Sequence, residues 1–557
     1  MRDFFLRQLS LCVIIPNIKE VFPMAIIKQF DKRSGITYFY ESKSFWDKEK
    51  KQSRSKRTLI GRLDPQTGKM VPTDGRGKRR KDRQTDPQVQ RAPQTKRLYY
   101  GATYLFDQIG EQTGVTHDLK ACFPNQYKQI LSLAYYLILE DQNPLSRFTK
   151  WDKTHVHPCG KDIPSQRSSE IFQSITEASK MAFFRLQGQR RLEQEYWAYD
   201  STSISSYSES LSCVQYGKNK DNDPLPQVNL SLLFGEKSGL PFYYRKTCGN
   251  IPDVKTVKEL LYELDLLGYS KVKLVMDRGY YSADNINALY KDHVKFICGA
   301  PITLRYAKDF IAEVGHSKSN YDFYNSNFEI YVFTKTIGWD YEQKRPYKGD
   351  ILEGKRRMYL HLYFNPEKAV DDAKRFNKKL DLLKEELLKD KRNPLHEKDY
   401  QLFFDVGPDQ KIGPTLHCNQ EAVEEACASH GFFLLISNEV KDPTSALMLY
   451  RMRDVVEKAF GNIKERLNLQ RTLVSSESSL EGKFFVEFVA LIFLSYLKKR
   501  MEEQNLFKTY TMHEVLDELD VIEAFQEPGR SLHVGEVLQK QEDLYRALSV
   551  QPLLAHP

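Results

Sequence analysis

Three acidic residues, Asp200, Asp277 and Glu457, occupy sequence contexts suited to metal or phosphate chemistry. Asp200 interrupts the aromatic and β-branched run Tyr196-Trp197-Ala198-Tyr199-Asp200-Ser201-Thr202-Ser203-Ile204. A charge inside such a strand is costly to bury unless it is paired or holds a cation. Asp277 follows the apolar run Lys271 to Met276 and precedes a tight Arg278-Gly279 turn. Strand ends of α/β sheets are where ligands usually bind, although an Asp there can simply cap the next helix. Glu457 belongs to the spaced set Tyr450-x2-Arg453-x3-Glu457-x6-Lys464. On a regular helix, Arg453, Glu457 and Lys464 fall about −60°, −20° and −40° from Tyr450, one stripe roughly 60° wide. Met448, Met452, Val455, Val456, Ala459, Phe460 and Ile463 fill the other faces. A carboxylate bracketed by two cations suits a site in which the acid ligates Mg²⁺ while Arg and Lys hold a phosphodiester. The same stripe also fits a solvated face with an Arg453–Glu457 pair at i,i+4. Asp454 and Glu465, at the edge of the stripe, are competing ligands.

These residues come in a recognisable order. Asp200-Ser201-Thr202, Gly249-Asn250 with Asp253, Asp277-Arg278-Gly279-Tyr280 and the Tyr450, Arg453, Glu457, Lys464 set resemble the YREK-signature DDE transposases of bacterial insertion sequences, the insertion sequence four type. The resemblance runs from about Glu193 to Arg500, and Glu41 to Asp64 also resembles the group's N-terminal part. It implies an α/β protein with an RNase H-like catalytic core, a mixed five-stranded sheet flanked by helices, interrupted by a large β-rich insertion domain and preceded by an N-terminal DNA-binding region. It implies cut-and-paste transposition: cleavage at terminal inverted repeats, then strand transfer into target DNA.

By the same resemblance the cofactor is a pair of Mg²⁺ ions, replaceable by Mn²⁺. Asp200 would bridge both ions, Asp277 hold one and Glu457 the other. Arg453 and Lys464 would grip terminal phosphates, and Tyr450 would contact the strand beside the cut. Arg278 is a further DNA-binding candidate. Trp339 could stack on a flipped base if an end hairpin forms. A homodimer with double-stranded DNA is expected, because two ends must be synapsed. Two readings compete: a nuclease or resolvase that shares the carboxylates but does not join, and a silent transposase-derived DNA-binding protein.

The elements that must position these groups can be read from the same rows. Strands are expected at Tyr196–Ile204, Val228–Phe234 and Leu240–Arg245, then a helix over Asp253–Leu267 stopped by Gly268. A strand at Lys271–Met276, a helix capped by Ser282 and a strand at Val294–Cys298 complete the first half of the core, 191–300. An insertion follows over 301–430, with strand-like pieces at Phe328–Phe333 and Met358–Phe364. Its long charged helix, from about Pro366 to Asp390, departs from the β-rich insertion of the resembling group. The second half, 431–505, opens with a buried strand, Gly431–Ser437. It continues with a helix through Ala446–Leu467 that Asp442 can cap and Pro443 can begin.

Around this core the chain of 557 residues is long enough for several domains. The net charge is +9, but Asp47 to Arg97 alone holds seventeen Lys and Arg against six Asp and Glu. Such a stretch, densest at Arg76 to Arg83, attracts phosphate backbones without reading sequence, or serves as a solvated linker. Residues 24–98 are expected to be a basic, β-rich region, and 99–190 a helical DNA-binding region with helices at Thr103–Gln112, Gln126–Glu140 and Ser168–Leu186. The end, 506–557, is expected to be helical. Residues 1–23 read as an upstream extension before a natural start at Met24. No C-x-x-C pair favours a disulfide framework or zinc ribbon. His155-Val156-His157-Pro158-Cys159 lacks a partner cluster at zinc-finger spacing. The longest apolar run, Phe484–Leu497, is too short for a bilayer and reads as a buried helix. An intracellular, soluble, nucleoid-associated bacterial protein is the expectation.

Overall fold

The computed structural model describes residues 24–554, apart from 33–34, 48–51, 66, 73–94, 141–142, 191–194, 222, 270, 345–348, 350, 408–414, 462–463, 465–473 and 475. The extension at 1–23, the basic cluster at 76–83 and Glu465 therefore lie outside the described residues. Two compact units emerge, Met1–Gln94 and Thr95–Pro557.

In the first unit, β1 (Met24–Asp31), β2 (Ile36–Asp47), β3 (Gln52–Leu63) and β4 (Met70–Pro72) form an antiparallel meander in chain order. β2 and β3 run twelve residues each, consistent with the β-rich reading of 24–98.

The second unit starts with β5 (Lys96–Tyr99) and six helices: α1 (Gly101–Thr113), α2 (Val115–Cys122), α3 (Tyr127–Leu139), α4 (Phe148–Trp151), α5 (Ser165–Ser174) and α6 (Glu177–Gln189). The helix expected over Ser168–Leu186 is thus two, because Thr176 accepts a hydrogen bond from the Ser179 amide and starts a new one. His155 and His157 are satisfied within the protein, by Asp520 at 3.1 Å and by Asp152 and Ser132 at 3.0 Å each.

The core follows as β6 (Trp197–Ser205), β7 (Gln227–Gly235), β8 (Pro241–Cys248), α7 (Thr256–Leu266), β9 (Lys273–Met276), α8 (Ala283–Lys291) and β10 (Lys295–Ala300). Ser282 caps α8 as read, accepting from the Asn285 amide. Every residue of β6 is buried, as a strand covered on both faces requires. β6 pairs antiparallel with β7 and parallel with β9, and β9 pairs parallel with β10.

The chain then runs through α9 (Arg305–Val314), β11 (Tyr324–Asn325), β12 (Ile330–Lys344), β13 (Ile351–Phe364), α10 (Pro366–Leu388), α11 (Glu397–Phe403), β14 (Phe404–Gly407), β15 (Thr415–Cys418), α12 (Gln420–Ala428) and β16 (Phe432–Ser437). The five-stranded expectation needs correction here. Among the described residues the sheet has nine strands, in the order β11-β12-β13-β16-β10-β9-β6-β7-β8. β16 pairs with β10 and then with β13, so the hairpin of the inserted stretch continues the core sheet. The physical reason is that β16, once paired with β10, would otherwise present an open apolar edge. Alternate residues of this extension point to opposite faces. Val275, Ile297, Leu435 and Tyr363 pack with Leu447, while Leu274, Phe296, Leu434 and Leu362 join the main core. The long helix α10 forms as expected and closes a small separate core with α11, through Leu383, Leu387, Tyr400 and Phe403.

The last stretch contains α13 (Pro443–Arg451), α14 (Asp454–Gly461), α15 (Glu477–Glu503), α16 (Met512–Asp520), β17 (Glu523–Gln526), β18 (His533–Val534) and α17 (Gln539–Ala547). α15 contains the apolar run Phe484–Leu497 and is buried on nearly all sides, as a helix apolar all round must be. A Cβ at Gly482 would fall 2.1 Å from the Phe172 carbonyl oxygen, so only glycine lets α5 lie this close. Among the described residues no helix is long and apolar enough to cross a membrane. The C-terminal stretch is not purely helical, since β17 pairs with β5.

Candidate active site

Asp200 and Asp277 reach one place because their strands are neighbours. Asp200 lies mid-way along β6, and Asp277 follows the last residue of β9, paired in parallel with β6. α14 packs across β6 and β7 and delivers Glu457 to the same side. The three carboxylates line one cleft of about 1330 Å³, with Arg278, Arg453 and Lys464 also on its walls.

The helix carrying the spaced set begins as expected, with the Asp442 carboxylate accepting from the Ser445 amide at 2.8 Å and Pro443 in the first turn. It is not continuous, however. Met452 and Arg453 form a turn between α13 and α14, tightened by amides of Arg453, Val455 and Val456 that each bond three residues back. The single-helix angles therefore hold only locally. The i,i+4 relation of Arg453 to Glu457 survives, with Nη2 2.8 Å from Glu457 Oε1. Arg453 Nη1 also stands 2.9 Å from Asp277 Oδ1. One guanidinium thus bridges two of the three acids. Tyr450 does not line the cleft. It stands behind Asp277 and donates its hydroxyl to Oδ1 at 2.8 Å.

Burial keeps the Asp200 carboxyl above the ordinary carboxylate range, against the pull of Lys220, the Ser201 amide and Arg453. Burial also acts on Asp277, but Arg453, the Tyr450 hydroxyl and the Arg278 amide outweigh it and leave that carboxyl below the usual range. Replacing Tyr450 by Phe removes one charge-assisted hydrogen bond. Stability to urea should fall by about 1 kcal/mol above the ordinary Asp range. The loss should shrink in acid, as Asp277 protonates and the bond weakens in the parent too. A pH series of urea melts on both proteins checks it.

Two contributors, Lys220 and Gly299, were not legible in advance, and Asp253, read as part of the Gly249-Asn250 motif, had no role assigned to it. Lys220, on the connection between β6 and β7, places Nζ 3.0 Å from Asp253 and 3.7 Å from Asp200. Asp253 is a fourth acid on the cleft wall and accepts from the Ser201 hydroxyl at 2.5 Å. Gly299 in β10 passes directly under the turn, where a Cβ would meet the Arg278 amide at 2.8 Å and the Tyr450 hydroxyl at 3.0 Å. Its lack of a side chain lets Tyr450 reach Asp277. A glycine in a strand does signal close backbone approach, but does not say to what.

Other expected residues fall as follows. Arg278 is exposed on the cleft. Lys464 lies on the cleft and is ion-paired with Asp221. Asp454 is exposed and does not line it. Trp339 is placed elsewhere. It sits on β12, its indole N–H donates to Asn287 at 2.8 Å, and its ring packs edge-on against Tyr306. Its pairing with α8 makes it a satisfied packing residue rather than a free stacking platform.

The pattern of the family described as the Transposase DDE domain matches residues 194–493. This chain belongs to that family. The matched span begins just before β6 and ends within α15, so it contains the whole constellation of acids. No curated protein matches the chain. Among solved structures, the cryo-EM structure of the piggyBac transposase synaptic complex with hairpin DNA is similar at 9% identity and a TM-score of 0.32, covering 74% of this chain and 70% of that one.

Among the described residues no three His, Cys, Asp or Glu side chains already form a cluster able to hold a metal ion. The donor chemistry nevertheless fits a hard divalent cation, because carboxylate oxygens from three separate elements face one cleft. The acids are engaged by the chain's own cations, Asp277 and Glu457 by Arg453 and Asp200 by Lys220.

Proposed function

We propose that this protein is an RNase H-like DNA transposase that cuts at terminal inverted repeats and joins the freed ends to target DNA. The observation that carries the reading is the convergence of Asp200, Asp277 and Glu457, far apart in sequence, on one cleft also lined by Arg278, Arg453 and Lys464. The strand order supports the core assignment: three antiparallel strands, then two parallel strands added beside the first.

Asp200, Asp277 and Glu457 would hold a pair of Mg²⁺ or Mn²⁺ ions, which would supply positive charge for an in-line displacement at phosphorus. Arg453, Lys464 and Arg278 bind and orient the phosphodiester in the cleft. Tyr450 fixes the rotamer of Asp277, and Lys220 with the Ser201 amide fixes that of Asp200. Burial of β6 excludes water from one side of Asp200. The basic segment around 47–97 and helices of 99–190 supply further contacts to double-stranded DNA, and a homodimer holds two ends together.

The test is incubation of the full chain with Mg²⁺, paired ends from the flanking DNA and a supercoiled target plasmid. Joined products with short target duplications are expected. Cleavage without any joined product would instead indicate a nuclease or resolvase, and binding without cleavage in Mg²⁺ or Mn²⁺ a silent relative.

A further inference from the structure

Arg453 occupies an unusual position. Its guanidinium contacts Asp277 at 2.9 Å and Glu457 at 2.8 Å, and Asp200 also acts on it through charge. It is therefore the common counter-charge of the three acids. Only 15% of its side chain is exposed, and it also lies over the Tyr450 ring at 5.2 Å. Its Nε is buried without a hydrogen-bond partner. A planar fork with five donors is thus incompletely satisfied by the carboxylates that hold it. Each carboxylate takes only one of its nitrogens, whereas a phosphate can accept two parallel N–H bonds from one guanidinium and is the better partner for such a group.

We propose that Arg453 couples divalent-ion binding to capture of a DNA phosphate by exchanging partners between the two. This inference rests on the reading of the cleft given above and assigns Arg453 a second role within it. With no phosphate present, the guanidinium neutralises the acids and competes with a divalent cation for their oxygens. Binding of a phosphodiester draws it away, and the acids then bind the cation more tightly. The linkage is reciprocal: the cation must raise affinity for DNA by the same factor. Free protein would therefore hold its metal weakly and acquire it together with its substrate.

The experiment is Mn²⁺ binding to the full chain, followed by the electron paramagnetic resonance signal of free Mn²⁺. It is run with and without a linear DNA duplex carrying a 5′-phosphate. For the parent protein the duplex should tighten Mn²⁺ binding roughly tenfold. Arg453→Gln should tighten it by a similar factor without DNA and abolish the response to DNA. Arg453→Lys, which keeps the charge, should not tighten it without DNA. Unchanged Mn²⁺ affinity in DNA-free Arg453→Gln, or a DNA response that persists in that variant, overturns the coupling. Asp200→Asn and Asp277→Asn separate this from the broader reading. If they bind Mn²⁺ as the parent does, the acids are not a metal site. If they lose it while Arg453→Gln matches the parent, only the coupling fails.

Discussion

Asp200→Asn should abolish strand cleavage while leaving the fold as stable as before, or slightly more so. Two facts set the sign on each side. Asp200 is 8% exposed on a fully buried strand, and its carboxyl is held above the ordinary range mainly by burial. A group whose value is raised on folding contributes stability below its unfolded value and loses it as pH rises through the folded one. Keeping Asp200 charged at neutral pH thus costs stability, and an amide of the same shape removes that cost. The gain is small, because the 3.7 Å contact with Lys220 is lost with it. For the reaction the same change removes an anionic oxygen from the centre of the cleft, expected to slow cleavage by roughly 10²–10³-fold or more. Nicking of supercoiled plasmid in Mg²⁺, set beside a thermal melt of each protein, reads both effects. Nicking within tenfold of the parent would remove Asp200 from the chemistry, whatever the melt shows.

The second large effect concerns Glu487, in the middle of α15 and away from the cleft. It is 1% exposed, and both carboxylate oxygens lack a hydrogen-bond partner. Lys483 approaches only to 3.6 Å. Burial pushes its carboxyl up to about 8, from an ordinary 4.5. The protein folds best with this group neutral. Its contribution is fully present below about 4.5 and is lost as pH rises through about 8. Glu487→Gln keeps the volume and removes the titration. It should be near neutral at pH about 5 and stabilising by roughly 2–5 kcal/mol at pH about 9. Urea midpoints across that range provide the check. A difference between the two proteins that stays flat with pH would mean Glu487 is solvated or paired in a way the burial does not reveal.

Much of the site was readable because each acid stood in a strongly patterned segment. The β-branched and aromatic run around Asp200 gave β6 within one residue at each end, and the Asp442-Pro443 pair located the start of α13. The turn at Met452–Arg453 was hidden. No Gly or Pro marks it, and periodicity continues across it. It arises where Arg453 bridges Asp277 and Glu457, a tertiary contact that local pattern does not contain. Lys220 was hidden for a related reason: it stands on an irregular connection, nineteen residues from Ser201, to which its ammonium donates. The extent of the sheet was misjudged because β12 and β13 are exposed along much of their length, so that only the buried ends near Phe328–Phe333 and Met358–Phe364 read as strand-like. The pairing of β13 with β16, and of β12 with β13, joins them to the core sheet.

The pairing of β17 with β5 and the central place of α15 bear on how the chain is made. α3 and α5 leave the ribosome some three hundred residues before the helix they pack against, and β5 waits longer still for its partner. The faces that α15 covers stay open until α15 has been made. Contacts so distant along the polypeptide close slowly, and the waiting segments are open to chaperones or aggregation meanwhile. A message cut short anywhere before the codon for Glu503 would therefore yield a product with its helical layer uncovered, suited to rapid proteolysis.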